Sequence, residues 1–84
     1  MKLWLLESRD DLTMANDPWW RTYDCFIGFV VRSESAENAR KLANELAKND
    51  PIDRPVWLDD RYSTCTEVTQ NGDEDLIMAS YKNG

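Results

Sequence analysis

The sequence predicts an α+β domain: one amphipathic helix on one face of a four-stranded antiparallel sheet, in the chain order β-β-α-β-β. Three observations predict it. Two apolar segments with strand periodicity, Met1–Glu7 and Tyr23–Arg32, precede an alanine-striped run at 36–47, and two further β-prone segments follow it around an Asn71-Gly72 turn. At 84 residues and 9.8 kDa the chain is a single domain, 1–84, with one thin core and no room for a deep substrate cavity. One helix layered on one sheet is the simplest way to close a core of that size.

Met1–Glu7 sets Leu3 and Leu5 against Lys2, Trp4 and Leu6, which suits a strand with at least one covered face. Ser8–Thr22 has neither helical nor strand period and reads as a long loop carrying Asn16-Asp17-Pro18 and then Trp19-Trp20. In Tyr23–Arg32, Cys25, Ile27, Phe29 and Val31 share one face and Phe26 and Val30 the other, with Gly28 expected to mark a bulge or a close approach. Ser33-Glu34-Ser35 offers hydroxyl caps to a helix whose stripe is Ala36, Ala39, Leu42, Ala43, Leu46 and Ala47, with Glu37 and Lys48 matching the dipole and Asn49-Asp50-Pro51 stopping it. Pro51–Tyr62 is a second irregular segment with a single helical turn expected from Asp59. Ser63–Gln70 reads as the third strand and Leu76–Tyr81 as the fourth, joined as a hairpin.

Sixteen acids against ten bases give a net charge of −6, and the imbalance lies in the second half: residues 1–48 hold eight acids and seven bases, residues 49–84 eight and three. Such a surface repels phosphate backbones and anionic membranes, so direct nucleic-acid binding is not expected and a basic protein partner is. No apolar run approaches the roughly 20 residues of a membrane span, and the apolar start is shorter than the about 7–15 residues of a signal-peptide core, which predicts a cytoplasmic protein. Cys25 and Cys65 lie in separate apolar segments without CxxC spacing and are expected as two buried, reduced thiols.

The chain has no histidine, which removes the usual base near neutral pH and the commonest metal ligand. No phosphate-binding glycine loop or nucleophile elbow is present, and the acids of 73–75 lack the spaced ligands of a calcium loop. No catalysis, cofactor or metal is therefore expected. If carboxylates did serve a reaction, Asp59 and Asp60 form the nearest pair, with Asp10 and Asp11 also available. What remains is a surface. Three of the four tryptophans, Trp19, Trp20 and Trp57, fall in irregular segments, and aromatic anchors beside acids suit a protein interface. The candidate partner-binding residues are thus Trp19, Trp20, Trp57, Asp59, Asp60, Asp73, Glu74 and Asp75. Neighbours in extended chain point in opposite directions, so one of Trp19 and Trp20 is expected inside and one exposed, with Trp20 the core member because it stands nearer the following strand.

At Met1-Lys2-Leu3-Trp4-Leu5-Leu6, Tyr23-Asp24, Gly28-Phe29-Val30-Val31 and Ser33-Glu34-Ser35-Ala36-Glu37-Asn38-Ala39-Arg40 the sequence resembles a group of small phage and prophage orphan proteins. More weakly, in size, acidity and helix start, it resembles anti-CRISPR inhibitors. The likeness covers about the first half of the chain and carries over no catalytic residue. What it implies is a phage-encoded, non-catalytic protein that binds and inhibits a host defence complex, such as a CRISPR effector or another nuclease, by covering a basic nucleic-acid surface. The alternative is an assembly domain acting as a homodimer through a sheet edge or the tryptophan-bearing loop.

Overall fold

The computed structural model describes residues 1–13, 17–19, 24–52 and 54–69. Within them the chain is α+β: β1 (Lys2–Ser8), β2 (Gly28–Ser33), α1 (Ala36–Leu46) and β3 (Ser63–Val68). The strands form a three-stranded antiparallel sheet in the order β2-β1-β3, so the first strand is the central one. The expected fourth strand at Leu76–Tyr81, the Asn71-Gly72 turn and the acids Asp73, Glu74 and Asp75 lie outside the described residues, as does Trp20.

The register explains which face is buried. Leu6 stands opposite Phe29 on one side and Cys65 on the other, and Trp4 opposite Val31 and Glu67. Successive side chains alternate between faces, so Trp4, Leu6, Phe29, Val31, Ser63 and Cys65 share one face and Leu3, Leu5, Val30, Thr66 and Val68 the other. Helix α1 covers the first. Its Ala39 and Ala43 are fully buried, and their small side chains let the helix backbone come close to the sheet. Among the described residues the second face carries no covering layer, and Val30 is 50% exposed there.

The start of the second strand and the end of the helix differ from the sequence reading. The second strand begins at Gly28 rather than Tyr23, because Asp24 takes a left-handed φ of 57° that breaks the extended run, a conformation Asp tolerates better than most residues. The Phe26 amide then donates to the Asp50 carboxylate at 2.9 Å instead of to a strand. Gly28 is accordingly the first residue of β2, in unbroken register opposite Glu7, and makes no bulge. Helix α1 ends at Leu46 with Ala47 as its cap, before the Pro51 stop is reached, and Lys48 lies just past it.

The predicted stripe was one flank too wide: Ala39 and Ala43 are buried, but Leu42 and Leu46 are exposed, Leu46 by 52%. The expected turn at Asp59 is present as a hydrogen-bonded turn, with the Tyr62 and Ser63 amides both donating to the Asp59 carbonyl, but it does not become a helix. Cys25 and Cys65 are half-buried, not buried as expected, and neither is in a disulfide. The Cys65 thiol approaches the Ala36 carbonyl at 3.8 Å, and burial pushes its pKa up.

Candidate binding surface

The tryptophans build the site from beneath. Trp19 and Trp57 are 5% and 2% exposed, and their rings meet edge to face with centroids 5.3 Å apart. Trp57 also stands edge to face with Phe29 at 5.0 Å. Both therefore belong to the core cluster with Leu6, Val31, Ala39, Ala43 and Val56, and the expectation that they anchor a partner is corrected. Trp19, expected at the surface, is a core side chain, while Trp20 lies outside the described residues. The reason is a polar contact that strand alternation does not foresee: the Asp17 carboxylate accepts the Trp19 amide at 2.8 Å and turns the chain, and the indole N–H of Trp19 donates to the Tyr62 carbonyl at 3.0 Å. The ring is drawn under the 59–62 turn.

The segment above these rings is fixed by one arginine. Arg40 of α1 donates to the Trp57 carbonyl at 3.0 Å, the Ser63 hydroxyl at 2.8 Å and the Ser63 carbonyl at 3.1 Å. The hydroxyl of Ser63, fully buried, donates in turn to the Val56 carbonyl at 2.7 Å. Every buried oxygen in this knot has a donor, as a site taken out of water requires. The buried indole N–H of Trp57 has no hydrogen-bond partner among the described residues.

On top of that support the chain presents charge. The Arg9 amide donates to the Tyr62 carbonyl at 3.0 Å and its guanidinium to the Asp60 carbonyl at 2.8 Å, so residues 9–11 are zipped to 59–62 across some fifty positions of sequence. Glu7, Asp10 and Asp11 border one depression beside Arg9, and Asp11 and Asp60 border the adjoining one with Arg9 and Arg61, so that with Asp59 these acids form one rim. Arg9 pairs with Asp11 at 3.5 Å and Arg61 with Asp59 at 2.7 Å. Asp59 also accepts the Arg61 amide, and the Arg61 guanidinium together with that amide holds its pKa down at about 2. A carboxylate held so firmly ionised serves charge and not proton donation. Leu58, exposed, closes the preceding turn onto the Pro55 carbonyl and is the apolar residue next to Asp59 in the chain. Arg54 and Arg61 lie near the Tyr62 ring at 5.7 and 5.4 Å from its centroid.

The structure thus brings Asp59 and Asp60 together with Asp10 and Asp11, and places Trp57 and Trp19 below them instead of beside them. Sequence reasoning missed Arg40, Leu58 and the joining of the two loops. An arginine on an alanine-rich helix looks like any solvated charge, and nothing in local periodicity links position 9 to position 60. Among the described residues no group of His, Cys, Asp or Glu could hold a metal ion, and no helix is long and apolar enough to cross a membrane. A depression of about 250 Å³ between the end of α1 and residues 54–57 is smaller than the roughly 300–1,000 Å³ of a small-molecule pocket. No protein-family model, no curated protein and no solved structure matches this chain.

Proposed function

We propose that this chain is a small acidic interaction protein without catalysis, acting in the cytoplasm of a host cell, where it binds a nucleic-acid-handling protein of a defence system and inhibits it by covering a basic surface. The observation that carries this reading is the rim: Glu7 at the end of β1 and four acids on the two loops that follow β1 and precede β3, joined by the amide and guanidinium of Arg9, over a buried aromatic support. A rigid acidic rim presents carboxylates to lysine and arginine without first having to order a loop. Leu58 supplies the apolar contact that the inward tryptophans cannot. The likeness of the first half to phage-encoded proteins and anti-CRISPR inhibitors supports the choice of a defence nuclease.

The test is capture from bacterial lysate with tagged chain, then association kinetics on the purified partner. A rim that works by charge loses association rate steeply with salt, by about tenfold or more between 50 and 500 mM, and the variant Asp10→Lys with Asp60→Lys loses it at low salt as well. An association rate indifferent to both changes refutes the rim as the binding surface.

A further inference from the structure

We propose that the outer edge of β2 is a self-pairing interface, through which two copies of this chain join their sheets about a two-fold axis passing beside Val30.

The backbone pattern identifies the free groups. The Ser8 amide donates to the Ile27 carbonyl at 3.0 Å, so the bonded positions of the β1–β2 ladder are those two and, in alternation, Leu6 with Phe29 and Trp4 with Val31. Gly28, Val30 and Arg32 consequently turn their N–H and C=O groups away from β1. No backbone bond from another described residue reaches them. The strand also lacks the usual protection of an edge: it holds no proline and no bulge, and Arg32 is its only charge.

This edge is complementary to itself. Placed antiparallel to a second copy with Val30 at the centre, Val30 faces Val30 of the partner subunit and Gly28 faces Arg32 of the partner subunit. Each outward N–H then meets an outward C=O, because the free residues recur every second position from a central one. The absence of a Gly28 side chain leaves space for the long Arg32 side chain opposite it.

The helix adds apolar contact to the same seam. Arg40 reaches Trp57 and Ser63, and the Cys65 thiol reaches the Ala36 carbonyl, so that side of α1 lies over β3. At about 100° per residue, Leu42 and Leu46 fall on the opposite flank, over the β2 side, where both are exposed. A two-fold perpendicular to the sheet keeps both helices on one face and turns these flanks toward each other.

Charge selects a second copy as the occupant. The chain carries −6, yet residues 26–48, which contain β2 and α1, hold four bases and three acids. The region that would meet its own copy is thus one where like charge does not oppose it, while the turn 59–62 of the acidic rim leads into β3, on the far side of the sheet from β2.

Sedimentation velocity from 1 to 300 μM, with amide exchange read residue by residue, tests the proposal on the full chain. The expected result is a monomer–dimer equilibrium in which exchange at Gly28, Val30 and Arg32 slows as concentration rises. Val30→Pro removes an outward N–H and Val30→Lys sets two like charges at the axis; each shifts the dissociation constant at least about tenfold upward with an unchanged circular dichroism spectrum. If one of the two fails to fold, Leu46→Glu, on an exposed helix flank, tests the same seam. A wild-type chain monomeric at 300 μM overturns the proposal, as does a dimer whose constant is unmoved by the folded variants.

Discussion

At the scale of single residues, burial and charge separate what composition alone runs together. Trp19 and Asp59 were both candidate contacts, but one is a core side chain and the other a surface charge. Cutting Trp19 to alanine removes a ring packed on Trp57 and orphans the Tyr62 carbonyl of one of its donors; it is expected to cost about 3–5 kcal/mol in urea unfolding, a large part of the roughly 4–13 kcal/mol available to a chain of this length. Asp59 is tested by its titration. Because its folded pKa is lowered from 3.8 to about 2, its contribution to stability is whole above the ordinary carboxylate value and is lost as pH falls through about 2. In Arg61→Ala the Asp59 carboxyl resonance is expected to titrate nearer 3.8, since the hydrogen bonds of the guanidinium are the leading cause of the shift. A titration midpoint left near 2 contradicts that cause.

Individual elements show where local sequence rules suffice. The helix start was legible because its signal is chemical and local: the Ser35 hydroxyl accepts the Asn38 amide at 3.2 Å, and Glu37 sits in the first turn. Ser35→Ala is expected to destabilise the domain by about 1 kcal/mol with no change in the sheet, measured by chemical denaturation. The β1 and β3 segments were legible for a similar reason, since their apolar or Thr-rich runs end where the chain turns. The width of the helical stripe was not. Leu42 and Leu46 fit the period as well as the alanines do, but α1 overlies a sheet of only three described strands, so one flank is left outside. The start of β2 failed because apolar periodicity continues through Cys25 and Ile27 while the backbone at Asp24 has already turned. The acidic surface was readable as an excess of charge, whereas the rim itself depends on long-range bonds from the amide and guanidinium of Arg9 that no local pattern records.

Across the whole molecule, the excess of negative charge sets a balance whose sign can be decided. Three ion pairs among the described residues, Lys2 with Glu67 at 3.3 Å, Lys41 with Glu37 at 3.4 Å and Lys48 with Glu45 at 2.9 Å, lie in water, where such pairs contribute about 0–1 kcal/mol each. Salt screens these weak attractions and, equally, the repulsion among sixteen acids in a chain that holds ten bases. The aromatic core is not weakened by moderate salt, so the outcome turns on which surface set is larger. The repulsive set is, because the excess of acids has no basic partners to oppose it, and the rim holds several of those acids within a few residues of one another. Raising sodium chloride from 20 to 500 mM at pH 7, with the chain at 1 μM, is therefore expected to raise the thermal midpoint. A gain of ~1 kcal/mol corresponds to about 4–8 °C for a chain of this size. Replacing Asp10 and Asp60 together by asparagine relieves part of the same repulsion and is expected to reduce the response to salt. A midpoint that falls with salt would mean that attractive pairs, and not the uncompensated acids, dominate the surface of this fold.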